Sequence, residues 1–468
     1  MNKKYLLVAM FAATSAQAEE LEEIVVTHPL AGDGVSQSIS ILEGNELVES
    51  VAATLGETVA GIAGIRNASF GPAAGRPVIH GLSGPRIKTT QDRIDSLDVS
   101  VTSTDHAVTV EPFIADQVVV LKGPSVLLYG SGAIGGVVDT VTGRVPRSLP
   151  EKPIDGRAEL RFTDNADAQV GAVRLDGAAG ESIAWHVDAF SKDAEDYDIP
   201  GTTASSALIA TQGEEEELVT GTLPNSFFDS QGVAGGLSWI GENGFFGASI
   251  STTEGVYGLV GPGEDEEEEE GEEGEEFAEF EGEEEEEGGA FIDLEQVRFD
   301  LEGELRLESS FINSINFRFG FNDYEHIEFE APGEAGTVFD NEAWEGRLQF
   351  THGPAILGFS GTSGIQLSDR DFSAIGEEAF VPPVDTQTVG TFWVGQRDFG
   401  KLSLELGSRL DFVEHEAEGF EGEDFSFTNS SASAGIVYQS TDQTQFSALF
   451  DITERAPNPE ELFSNGHT

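Results

Sequence analysis

The chain has no cysteine among its 468 residues, which excludes disulfide bridges and thiolate metal centres together. Basic residues are scarce: 24 Lys and Arg stand against 86 Asp and Glu, for a formal net charge of −62. A phosphate backbone needs cationic partners, so nucleic-acid binding is excluded and cations become the natural counterpart. Long apolar runs are missing too. The stretch from Tyr5 to Ala13 is far shorter than the ~20 residues a helix needs to cross a bilayer, and no later window is continuously apolar over that length. What remains is a secreted soluble protein or a β-barrel, because only helices and closed barrels satisfy a whole backbone within lipid. No Ser-His-Asp spacing, phosphate loop or carboxylate pair rises above so acidic a background, so the sequence reads as a protein that is not an enzyme and needs no catalytic cofactor.

What is present begins with an export signal. Lys3 and Lys4 precede the apolar stretch, and Ala16-Gln17-Ala18 supplies the small-x-small cleavage pattern, so residues 1–18 are expected to be a signal peptide. The 56 Gly and 32 Phe beside only 2 Met suit a chain of many strands and turns with lipid-facing aromatics. A secreted acidic β-protein shares that composition. The length favours two domains. Residues 37–150 read as a compact α+β domain, with strands at Ser38–Leu42 and Gln117–Lys122 and a helical stretch near Thr54–Val59.

After Pro146–Lys152 the pattern changes. Ala158-Glu159-Leu160-Arg161-Phe162 and Leu402-Ser403-Leu404-Glu405-Leu406 alternate at period two, the mark of strands with one oily and one wet face. About thirteen such segments follow, Phe311–Glu330 and Glu342–Gln349 among them, several exceeding the usual soluble strand length of ~5–6 residues. Residues 151–468 are therefore expected to form part of a transmembrane antiparallel β-barrel, with short links such as Ala178–Glu181, Glu242–Gly244, Glu308–Ser310 and Thr441–Gln443 at the periplasmic rim. A large β-sandwich or a solenoid is the alternative.

Motifs narrow the choice. Near the expected mature start lies Leu21-Glu22-Glu23-Ile24-Val25-Val26-Thr27. Arg76-Pro77-Val78-Ile79-His80-Gly81 and Gln91-Asp92-Arg93-Ile94-Asp95 follow, and then Val119-Val120-Leu121-Lys122-Gly123-Pro124-Ser125 runs on to Gly130-Ser131-Gly132-Ala133-Ile134-Gly135-Gly136-Val137-Val138. These stretches closely resemble the plug of TonB-dependent outer-membrane receptors. The resemblance implies a plug at 37–150 inside a barrel of ~22 strands, of which this chain would hold only the first part, so a fragment is expected. It also implies a TonB box at Glu22, Glu23, Ile24, Val25, Val26 and Thr27 within a 19–36 linker, pairing with periplasmic TonB by strand addition. Residence in the bacterial outer membrane, among lipid and lipopolysaccharide, follows from the same resemblance. The glycines of 130–135 also match a dinucleotide fingerprint, but that motif needs a following helix, and Gly136–Val141 reads as a strand.

The cargo is harder to read. Asp105 and His106, followed by Glu111-Pro112, resemble the zinc-uptake branch, where such a pair in the plug binds metal. Carboxylate and imidazole together suit Zn²⁺ without any thiolate; the alternative is a capped turn with a solvated histidine. In Asn322–Glu330, period two puts His326 and Glu328 on one face and Glu325 on the other, so His326 and Glu328 are candidate partners of the plug pair. His467 is a third, weaker candidate.

Residues 264–287 carry 18 acidic residues in 24, including Glu264, Asp265, Glu266, Glu267, Glu283, Glu284 and Glu285, in an expected extracellular loop spanning 260–290. So charged a run does not bury enough apolar surface to fold alone. Lacking histidine, it favours hard cations over zinc, and serves either to concentrate cations or to shield the surface. Three functions stay open: a receptor importing zinc or another divalent cation, a haem or metal-chelate receptor, and a non-transporting surface adhesin.

Overall fold

The computed structural model describes residues 37–464 apart from 124–125, 204–218, 261–288, 310, 377–378, 421, 423–424 and 442. The expected signal peptide, the Glu22–Thr27 segment, the acidic run and His467 therefore lie outside the described residues.

β-Branched runs build the centre of the first unit. Gln117–Lys122 and Gly136–Val141 are buried along almost their whole length, as strands covered on both faces must be. They pair antiparallel in a five-stranded sheet, ordered Ser38–Glu43, Gln117–Lys122, Gly136–Val141, Ile87–Gln91, Ile94–Asp95. Gly136–Val141 runs parallel to Ile87–Gln91. The helix Leu55–Val59 starts where the Thr54 hydroxyl accepts from the Glu57 amide at 3.2 Å, which satisfies one orphan donor of the first turn. Gly130 and Gly132 sit at φ +90° and +94° and lead into Gly136–Val141, a strand and not a helix. The dinucleotide reading is thereby excluded.

The second unit is a thirteen-stranded sheet running in sequence order from Ile154–Thr163 to Thr444–Ile452, each described pair antiparallel. The hairpin Asp198–Thr202 with Thr220–Thr222 stands apart from it. Burial in the sheet is inverted relative to a soluble protein. Along Gly244–Gly258, Phe246 and Ile250 are 53% and 55% exposed while Ser249 and Ser251 are buried. The sheet thus turns its apolar face outward and its polar face inward, as a lipid-embedded barrel does. No helix among the described residues is long and apolar enough to cross a membrane.

Several strands run longer than the sequence reading has them, one of them by far the most. The strand expected at Glu342–Gln349 spans Glu334–Ile356, because Pro332 and Gly333 alone turn the chain and the acidic segment behind them keeps its ladder, with Ile327 opposite Val338. In sequence, Val338 and Phe339 among charged neighbours read as a loop; backbone pairing across the hairpin keeps them extended.

The inward face grips the plug. Arg298 Nη1 donates to the carbonyls of Asp95 and Ser96, both at 2.9 Å. Arg147 meets Glu302 at 3.0 Å and Lys88 meets Glu345 at 3.4 Å. Burial opposes the charge on Lys88, but Asp95 and Glu345 outweigh it and hold its ammonium above the ordinary value.

Candidate metal centre

His106 lies in the irregular plug segment that follows Val99, and His326 and Glu328 lie on the inward face of strand Ile312–Ala331. All three are buried, and one potential ligand atom from each falls within 4.8 Å of the others. His106 Nε2 is 2.9 Å from Glu328 Oε1, and His326 Nε2 is 3.6 Å from the same oxygen. The two imidazoles touch edge to face with centroids 4.5 Å apart, and Phe339 stacks on His326 at 4.5 Å.

Outer partners fix both rings. His106 Nδ1 is 3.1 Å from the Val99 carbonyl, an acceptor only, so Nδ1 carries the proton and Nε2 faces the carboxylate. Two acceptors at 2.9 Å repel unless a proton or a cation lies between them. His326 Nδ1 is 2.8 Å from the Tyr324 hydroxyl, while its Nε2 is buried without a hydrogen-bond partner. Each imidazole is thus held from its Nδ1 side with Nε2 presented to the cluster, the arrangement metal-binding histidines use. A tetrahedral zinc shell with bonds of ~2.0–2.1 Å sets its donors about 3.4 Å apart, so small side-chain adjustments suffice to enclose an ion.

Of the four candidate ligands within the described residues, three converge. Asp105 does not join them: its carboxylate accepts from the Ser103 hydroxyl. Its backbone carbonyl accepts instead from the Tyr257 hydroxyl at 3.1 Å, and that hydroxyl oxygen in turn accepts from the Ala107 amide at 3.0 Å. Tyr257 therefore clamps the segment that carries His106 to the wall. Nearby, Arg76 donates to the Ser100 carbonyl; burial pulls its guanidinium below the ordinary value against the attraction of Asp98 and Asp105. Tyr324 and Phe339 were not singled out from sequence. Tyr324 shares the inward parity of His326, and that signal was available; Phe339 comes from the next strand, where only register reveals it.

Two family models match the chain. The TonB-dependent receptor plug domain matches residues 33–137, and the TonB dependent receptor-like beta-barrel matches residues 281–468. A hemin receptor from Yersinia pestis is 26% identical over 131 residues, which are 27% of this chain and 19% of the relative. The copper transporter OprC superposes with a TM-score of 0.70 at 15% identity, over 92% of this chain and 66% of its own. The Serratia marcescens hemophore receptor HasR, solved with its hemophore HasA and heme, gives 0.69 at 12% identity, over 92% and 65%. The match thus spans just under two thirds of these solved chains, and about a fifth of the curated relative. Structural likeness at such identities carries the fold and not the cargo.

Proposed function

Because the chain belongs to the TonB-dependent receptor family, we propose that it imports a divalent metal ion, zinc first, across the outer membrane, with His106, His326 and Glu328 as the cargo ligands. The observation that carries this reading is the buried grouping of His106 Nε2 and His326 Nε2 around one Glu328 oxygen, at 2.9 and 3.6 Å, between plug and wall. Two imidazoles and one carboxylate match a three-ligand zinc set that leaves a fourth position for water. Copper binds nitrogen donors at least as strongly, so zinc is argued from the mixed donor set and not from affinity. Energy would come through TonB acting on Glu22–Thr27, and the acidic run at 264–287 would raise the local cation concentration outside.

The haem alternative draws on the hemin receptor among the relatives. The geometry favours it less, since two buried rings in contact at 4.5 Å suit one ion and not a porphyrin between them.

The test is calorimetric titration of Zn²⁺, Cu²⁺, Ca²⁺ and haemin into the full-length refolded receptor beside its His106→Ala/His326→Ala variant. Tight zinc binding that the double substitution removes supports the reading. Haemin binding that survives it, with no zinc binding in either protein, overturns it.

A further inference from the structure

Away from the His106 site, six buried or half-buried ionisable groups meet where the plug joins the wall. The plug side contributes Asp116 and Arg144; strand Ala168–Ala179 contributes Arg174 and Asp176; strand Ile183–Ala194 contributes His186 and Asp188. Arg144 clasps Asp188 through Nε at 2.9 Å and Nη2 at 3.1 Å. Arg174 reaches in the other direction, to Asp116 at 2.5 Å and to the Thr142 carbonyl at 2.8 Å. His186 bridges the two halves, with Nδ1 2.8 Å from Asp176 and Nε2 2.8 Å from Asp188. The adjacent strand Phe228–Gly241 adds no charge there: Gly236 lies opposite His186, and the Arg144 carbonyl packs so close that a Cβ on Gly236 would collide with it. On the other side, strand Ile154–Thr163 sets Asp155 and Arg157 opposite Asp176 and Arg174; Asp155 is exposed, whereas the Arg157 guanidinium reaches in to the Phe113 and Ala115 carbonyls of the plug and its positive charge acts on Asp116.

We propose that His186 is a proton-dependent latch between the plug and the barrel wall. Both carboxylates are already engaged by guanidinium groups and accept only, so a ring bonded to both must donate from both nitrogens and carry a positive charge. Loss of its proton turns a nitrogen lone pair toward a carboxylate in a buried site. The Asp188 oxygen that His186 holds is the one that Arg144 Nε also uses, so the plug's grip loosens with it. The use of such a latch in transport rests on the receptor reading above, whereas the latch itself is testable without metal or TonB.

Hydrogen exchange of residues 142–147, corrected for intrinsic rates, reads the latch in the full-length receptor in detergent from about pH 6 to about pH 9, a range spanning ordinary histidine titration. Wild-type protection should fall on the order of tenfold as the pH rises. His186→Gln, permanently uncharged, should give the low value throughout. Asp176→Asn should keep the high value throughout, because the introduced side-chain amide can donate to Nδ1 of a neutral ring whose Nε2–H still donates to Asp188. A wild-type slope that persists unchanged in either variant overturns the proposal, and Asp176→Asn decides alone if His186→Gln does not fold.

Discussion

His106 and Glu328 stand 222 residues apart in sequence and 2.9 Å apart in space, one on the plug and one on the wall. With His106 Nδ1 bonded to the Val99 carbonyl, their contact is satisfied only by a shared proton or a cation. His106→Ala and Glu328→Gln should each weaken zinc binding by roughly 100-fold or more, since each removes one of three ligands. Tyr324→Phe removes the hydroxyl that holds His326 and should cost about tenfold. Asp105→Ala should change affinity by less than about threefold, because its carboxylate is turned to Ser103 and does not meet the ion. Calorimetry on the four variants checks the ranking, and an Asp105→Ala loss equal to that of His106→Ala would remove the three-ligand assignment.

Much of this site was legible at the level of strand parity. Period two alone put His326 and Glu328 on one face, and the plug motif drew attention to His106. What sequence does not carry is the meeting of the two halves, because the partners lie more than two hundred residues apart. Adjacency groups Asp105 with His106, yet neighbours in an irregular segment need not point the same way. The His186 cluster escaped for a different reason: His-x-Asp on a strand reads as ordinary alternation until register brings Asp176 and Arg144 beside it. The fold was more legible, since long alternating runs define barrel strands without any knowledge of partners. It was least so at Glu334–Asn341, where polar composition hid a ladder.

The outward face yields a stability prediction. Leu237 is 57% exposed beside Trp239 at the same level of exposure, an arrangement that is favourable only against lipid. Leu237→Arg places a charge on that face and should cost about 2–4 kcal/mol if the site lies near the bilayer midplane. The folded fraction in lipid vesicles, read by heat-modifiable gel mobility, should fall sharply, whereas Leu237→Phe should leave it unchanged. Equal folding of the arginine variant would place this face outside lipid.

The plug-to-wall grip gives another. Arg298 is buried, pairs with Asp300 at 3.1 Å and donates to two plug carbonyls. Arg298→Ala leaves Asp300 unpaired and strips both carbonyls of a donor, a loss of about 3–5 kcal/mol by analogy with other broken buried pairs. Replacing the pair by Arg298→Met/Asp300→Leu should recover part of that loss, since no uncompensated charge remains. Protease sensitivity of the plug in the refolded receptor distinguishes the two variants.

Asp139 sits in the middle of the plug sheet, on strand Gly136–Val141, where burial pushes its carboxyl above the usual range despite Arg93 and a hydrogen bond from Thr90. Its sign is the reverse of a salt-bridged carboxylate. A folded state that holds the proton more tightly than the unfolded chain gains stability from this group at acid pH and loses it as pH rises from the unfolded value of ~3.9 through the folded one. Thr90 Oγ1 and the Arg93 amide both donate to the same Asp139 oxygen, at 2.8 and 2.9 Å. In an Asp139→Asn variant the side-chain amide carbonyl can accept both of these bonds without carrying a charge. The melting temperature of that variant relative to wild type should therefore climb as the pH is raised from about 4 to 7. A difference that stays flat across this range, or shrinks, would show that Asp139 is ionised in the folded plug as readily as in the unfolded chain, with Arg93 compensating its burial in full.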